Sequence, residues 1–242
     1  MMRASVTLTL TLLSTVVMAQ ESTEAGKEDP WSGNATLGYL ATSGNTDNTS
    51  LNTGFEIGYT SGKWLHMLRA KAINNSQDDE TTAEAYEAGW KTDYSFSETS
   101  YVFGRLDWRK DRFSGYERQV SQSIGYGRRL IDAEAHTLNL EVGVGARQQV
   151  LRDLAQTEED DVIFRAGLDY TWRFSETAEF RQDLITESGE SNTFIESVSA
   201  VKASLIGEIA LVASYTIRNN SDVPVGTEET DTFTALSLEY TF

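Results

Sequence analysis

The sequence predicts an all-β fold: a single antiparallel transmembrane β-barrel of about 12 strands, preceded by a cleaved signal peptide. Three observations carry this prediction. From Trp31 onward the chain alternates between apolar and polar positions, in segments of about ten residues separated by turn residues, as membrane barrels do. The last segment, Thr230 to Phe242, alternates right up to an aromatic end; an end that does not fray needs a fixed neighbour, and a closed sheet supplies one. The chain also opens on an apolar leader.

The leader, residues 1–19, has one cation at Arg3, an apolar run from Val6 to Val17 and the small-residue ending Val17-Met18-Ala19. That is the layout of a secretory signal peptide, too short for a spanning helix. Residues 20–30 read as a flexible N-terminal tail and 31–242 as the barrel. No later apolar block is long enough to span a bilayer, which excludes a helical membrane protein. The chain has no cysteine, so an exported form has no disulfide framework and must rely on a large hydrogen-bonded fold. Pro30 and Pro224 are the two prolines, and both lie outside the predicted strands, as ladder hydrogen bonding requires.

The predicted strands cover 32–42, 51–60, 64–73, 84–94, 101–110, 118–130, 137–148, 162–174, 179–188, 193–203, 208–218 and 231–242. In the second, Leu51, Phe55, Ile57 and Tyr59 alternate with Asn52, Gly54, Glu56 and Gly58; in the eighth, Val162, Phe164, Leu168, Tyr170 and Trp172 alternate with Arg165, Asp169 and Arg173. An even strand number returns both chain ends to one rim, where the short turns belong; the longer connections belong on the opposite, outer rim. The turn motif Phe-Ser-Glu-Thr occurs at Phe96–Thr99 and again at Phe174–Thr177, both on the short-turn rim. A soluble barrel would show the same alternation with the apolar set pointing inward. The signal peptide, the Phe242 ending and aromatics near strand ends (Trp64, Tyr94, Tyr101, Trp108, Trp172, Tyr240) favour the membrane, where interfacial girdles are expected. Strand ten fits least well: Ser197 and Ser199 share the outward set, as do His66, Gln122, Arg128 and Gln182 elsewhere.

The stretch Trp31–Leu51, WSGNATLGYLATSGNTDNTSL, with its Trp-x-Gly start, its Gly-Tyr and the Ser-Gly-Asn-Thr of Ser43–Thr46, resembles the opening of the salt-induced outer-membrane proteins, catalogued as domain-of-unknown-function family 481. The resemblance implies a Gram-negative outer-membrane barrel and transfers no catalytic residues. It also implies that the outward face of the closing strand, Leu238, Tyr240 and Phe242, serves as the signal read by the barrel-assembly machinery.

Chemistry is sparse. The two histidines, His66 and His136, have no serine beside them on a strand face, and no nucleophile-elbow, zinc-protease or phosphate-loop pattern occurs. The expectation is a non-enzyme without cofactor or metal, an outer-membrane lipid hydrolase being the remote alternative. A formal net charge of −17 argues against nucleic acid as a partner. The acidic runs at 77–80, 158–161 and 228–231 read as solvated outer loops, or as carboxylates sharing divalent cations with lipopolysaccharide. The barrel itself reads as a monomer.

The interior-facing set says most. It contains Arg69, Lys71, Arg105, Asp107, Arg109, Glu141, Arg147, Arg165, Asp169, Arg173, Arg181, Asp183, Arg218 and Glu239. With Lys91, Arg129 and Lys202, and with Glu56, Glu87, Asp93, Glu179, Glu187, Glu196 and Asp231, the set holds twelve basic and twelve acidic side chains. Equal numbers suit a salt-bridged plug, because buried charges must be paired; a narrow pore for small or anionic solutes is the other possibility. Along the eighth strand Arg165, Asp169 and Arg173 are expected to form a ladder with Glu141 and Arg147 on one side and Arg181 and Asp183 on the other.

Overall fold

With side chains alternating across each strand, every apolar residue placed outward sets its neighbours inward, and the sheet must close to leave no edge. A computed structural model describes residues 29–42, 48–78, 80–112 and 115–242. The leader 1–19, most of the 20–30 tail, the Ser43–Thr46 motif and Asp79 of the first acidic run lie outside these residues. Twelve antiparallel strands follow in order: β1 (Trp31–Thr42), β2 (Asn48–Ser61), β3 (Trp64–Gln77), β4 (Glu80–Ser95), β5 (Ser100–Asp111), β6 (Tyr116–Asp132), β7 (His136–Leu151), β8 (Glu158–Arg173), β9 (Ala178–Ser188), β10 (Thr193–Ile206), β11 (Ile209–Asn220) and β12 (Thr230–Thr241). Each pairs with its sequence neighbours, and β12 pairs with β1 to close the barrel.

The seam is fixed by Asn34↔Thr241 through Leu37↔Leu238. The apolar set points outward: Leu37, Phe55, Leu68, Trp90, Ile124, Val162 and Leu236 are all exposed, Val162 by 83%. Charged residues fill the inside, among them Asp107, Arg147, Arg165 and Glu187. This polarity is the reverse of a soluble barrel and matches a wall facing lipid.

At the rim holding the chain ends, aromatics pair across neighbouring strands: Trp31 with Tyr59 at 4.6 Å and Trp64 with Tyr94 at 4.8 Å. Tyr101 departs from the girdle expected of it. It is 4% exposed and points inward, because residue 101 shares its side of β5 with Arg105 and Asp107. The two Phe-Ser-Glu-Thr copies form the β4–β5 and β8–β9 turns on this rim.

Several strands are longer than predicted. β3 runs on to Gln77, β4 begins at Glu80, and β8 begins at Glu158. The acidic run at 158–161 is therefore the start of a strand and not a loop, and Gln77 and Glu80 of the first run end β3 and begin β4. Alternation continues through 158–161, so Asp161 faces inward and is 7% exposed.

On β9 and β10 the outward polar residues satisfy one another. Gln182 Nε2 donates to Ser197 Oγ at 3.0 Å, and Ser199 Oγ donates to Gln182 Oε1 at 2.5 Å. β10 pairs in continuous register with β9, and with β11 from Phe194 to Ser204, although serines lie on its outward face.

Candidate functional site

The interior is built in two tiers. In the tier away from the chain ends, Arg165 and Glu187 are direct cross-strand partners and are ion-paired. Glu187, fully buried, also lies 3.6 Å from Arg109 Nη1 and accepts from Ser121 Oγ at 3.2 Å. Arg109 reaches it from β5, across the barrel, and its guanidinium sits over the Phe194 ring at 4.2 Å. Arg218 pairs with its cross-strand partner Glu196 at 2.8 Å and reaches over to Glu87 of β4 and to Asp111, the latter at 3.8 Å. Arg147 pairs with Asp161 at 2.8 Å and donates to the Asn192 carbonyl at 2.5 Å. Removed from water, these charges require partners and hydrogen bonds. A pocket in this tier, beside Arg109, Tyr116, Phe194 and Arg218, holds about 20 Å³, room for a single water.

A strap covers the same end. The β11–β12 connection, 221–229, crosses to the opposite wall of the ring, where Tyr116 OH donates to the Asp222 carbonyl at 2.7 Å. Gly115, at φ 78°, lies beneath it; a Cβ there would be 2.9 Å from Pro224 Cδ, so close approach and a left-handed backbone both call for glycine. Asn192 Oδ1 accepts from Asp222 N and from Ser221 Oγ, each at 3.3 Å.

The tier nearer the chain ends is looser and encloses a cavity of about 380 Å³. Lys91 bridges Glu141 at 2.5 Å and Asp93 at 3.0 Å, and Tyr101 OH donates to Glu141 at 2.8 Å. Asp107 takes Arg69 at 2.7 Å and Arg105 at 2.5 Å. Glu239 takes Lys202 at 2.5 Å and lies 4.0 Å from Arg181, which also pairs with Glu179. At the rim Arg173 meets Glu179 at 3.5 Å, with half its side chain exposed.

The ladder expected along β8 is not formed. Arg165 pairs with Glu187 and not with Asp169, because direct cross-strand register brings Glu187 opposite it. Asp169 instead faces Asp183 in register and accepts from Asn139 Nδ2 at 3.2 Å. Both carboxylates and Lys71 line the cavity and are exposed to it. The acidic set is also larger than expected, since Asp111 and Asp161 join it through Arg218 and Arg147. The signal was present: Asp161 has the parity of Arg165, but a run of four acids reads as loop.

The histidines sit in the aromatic girdle. His66 Nδ1 and Thr92 Oγ1 are 2.9 Å apart, and the ring stacks on Trp64; His136 Nδ1 lies 2.9 Å from Tyr170 OH. Among the described residues no group of three or more His, Cys, Asp or Glu is arranged to hold a metal ion.

Residues 35–242 match the family described as "Protein of unknown function, DUF481". The chain belongs to the DUF481 family. A relative, the uncharacterized protein YdiY of Escherichia coli strain K12, is 31% identical over 217 residues, covering 89% of this chain and 85% of that one. Among solved structures, this DUF481 barrel resembles the translocator domain of the autotransporter NalP from Neisseria meningitidis, with a TM-score of 0.51, 10% identity and coverage of 90% of each chain. It also resembles the NanC porin, with a TM-score of 0.50, 10% identity and coverage of 86% of this chain and 97% of that one. At such identity the likeness is one of fold, the closed barrel of outer-membrane proteins.

Proposed function

We propose that this DUF481 chain is a non-enzymatic barrel of the Gram-negative outer membrane, with an interior closed by paired charges, and that it serves the envelope as a structural or surface protein. The observation that carries the reading is the reach of Arg109 and Arg218 across the barrel to Glu187 and Glu87: these pairs cross the space that a diffusing solute would need. The strap at 221–229 covers the same end. Apolar outward faces on a closed sheet support the membrane location. The outward row Leu238, Tyr240 and Phe242, each about half exposed, is the segment offered to the barrel-assembly machinery.

The 380 Å³ cavity favours a second reading, a narrow pore whose exposed Lys71, Asp169 and Asp183 meet small solutes. Single-channel recording of the refolded barrel in planar bilayers separates the two. A closed barrel is silent although inserted, and sustained open levels at several salt concentrations would establish the pore.

A further inference from the structure

Cations are scarce on the outside of this barrel, and they are not scattered. Among the described residues, the Lys and Arg side chains outside the interior are Lys63 and Arg128 near the chain-end rim, and Lys110, Arg112, Arg118 and Arg152 together at the opposite rim. The second group occupies one sector. Arg109↔Gln119 is the last partner pair between β5 and β6, with both side chains buried; Lys110 and Arg118 are the next residue on each strand and point outward, both exposed.

The loop after β7 brings the other cation. Arg152 N donates to the Gly115 carbonyl at 2.8 Å, and its Nη2 donates to the Asp111 carbonyl at 3.3 Å, which folds it back over the β5–β6 turn. Glu117 lies between, 2.9 Å from Arg152 and 3.6 Å from Lys110, while Arg112 pairs with Glu84 at 3.2 Å. Four cations face three carboxylates, Glu117, Glu84 and the loop's own Asp153, so the sector carries a small positive excess on a chain whose formal charge is −17. Below it on the same outward face lie Trp108 and Val120, partners in register, then Leu106 beside Gln122. Tyr86, the register partner of Lys110, is 41% exposed at the level of the cations.

Basic side chains at the rim above an apolar strip match an amphiphile with an anionic head and hydrocarbon tails. Guanidinium and ammonium groups suit phosphate oxygens through charge-assisted hydrogen bonds. We infer that the outer rim over β5, β6 and the β7–β8 loop is a binding site for the phosphate group of a lipid of the outer leaflet, lipopolysaccharide being the lipid of that chemistry. The contact is direct, from Lys110, Arg118 and Arg152 to phosphate, with no bridging cation. The inference rests on the outer-membrane reading above and is independent of whether the interior conducts.

The test uses the purified barrel in zwitterionic detergent with EDTA throughout, titrated with the phosphorylated lipid A moiety, with the same lipid dephosphorylated, and with inorganic phosphate. Heat-modifiable mobility on the same samples reports folding, so a barrel that does not form is distinguished from one that does not bind. The wild type should hold the phosphorylated lipid about ten-fold more tightly than the dephosphorylated one, the scale of one charge-assisted hydrogen bond. Lys110→Gln combined with Arg118→Gln should abolish that preference, and Arg128→Gln, at the other rim, should leave it intact. Arg152→Gln serves as an independent variant in a loop and should weaken binding with the barrel fold unchanged. Equal affinity for the two lipids, an unaffected double variant or an equal loss in Arg128→Gln would overturn the site. Binding absent in EDTA and restored when magnesium replaces it in a parallel titration would transfer the role to the acidic runs, and displacement by inorganic phosphate at matching concentration would make it a free-anion site; either result overturns the lipid assignment.

Discussion

Phe242 lies over Gly33. Gly33 N donates to the Phe242 carbonyl at 2.8 Å, Phe242 N donates to the Gly33 carbonyl at 2.9 Å, and a Cβ on Gly33 would fall 2.5 Å from the phenyl ring. The ring continues toward Phe55 at 6.4 Å and Tyr240 at 6.2 Å, so the last residue covers β1 and touches strands on both sides. Gly33→Val should displace the ring and lower the yield of folded, heat-modifiable barrel while export of the chain is unchanged. Deleting Phe242 should do the same, and wild-type yield in both variants would show that closure does not need this contact.

Arg165 and Glu187 are both buried, and removing either takes away the other's nearest partner, leaving Asp107 at 4.0 Å from Arg165 or Arg109 at 3.6 Å from Glu187. Arg165→Ala and Glu187→Ala should each cost about 3–5 kcal/mol, read as urea unfolding of the refolded barrel by tryptophan fluorescence. Asp169→Ala should cost under about 1 kcal/mol, because that carboxylate is open to the cavity. Replacing Arg165 and Glu187 together by Met and Leu should recover only part of the loss, since Arg109 also depends on Glu187. Equal effects at 165 and 169 would contradict the pairing.

Gln182 faces lipid with its amide satisfied by two serines. Gln182→Leu exchanges these bonds for apolar contact and leaves hydroxyls able to bond elsewhere, so stability should change by no more than about 1 kcal/mol. A large loss in the same unfolding experiment would mean that the polar cluster holds β9 and β10 in register.

Asp153, in the loop between β7 and β8, accepts from Thr157 Oγ1 at 2.6 Å and from Thr157 N at 2.9 Å. These bonds, the hydroxyl first, hold its carboxyl below the usual range. A depressed carboxylate orders the loop above the ordinary value of about 3.9 and loses that order as the pH falls through its own lower one. Limited proteolysis at 152–157 with an acid protease should therefore rise as the pH drops below about 4, and Thr157→Val should flatten the rise.

The architecture was legible because strand parity is a local property. Twelve segments and an even count could be read from period two, while choosing the apolar set as the outward one also took the leader, the Phe242 ending and the aromatics near strand ends. The pairing inside was not legible, because it depends on which residues come opposite once neighbouring strands are in register, and on contacts across the ring. Arg165 has several acids within a strand or two, and only the register selects Glu187. Tyr101 was misplaced because an aromatic near a strand end suits a girdle, although its parity with Asp107 argued otherwise. Asp161 was missed because acidic runs read as loops, whereas here Arg147 draws one of their members into the barrel.

The charge pairs that cross the ring join residues far apart along the chain: Lys91 with Glu141, Arg109 with Glu187 and Glu87 with Arg218. None can form in a hairpin, so all must wait for the sheet to curl shut, the slow kind of event that long-range pairing imposes. Until then the same side chains stay hydrated on one face of the unclosed sheet. Their desolvation is deferred to closure, when the partners that offset it arrive together.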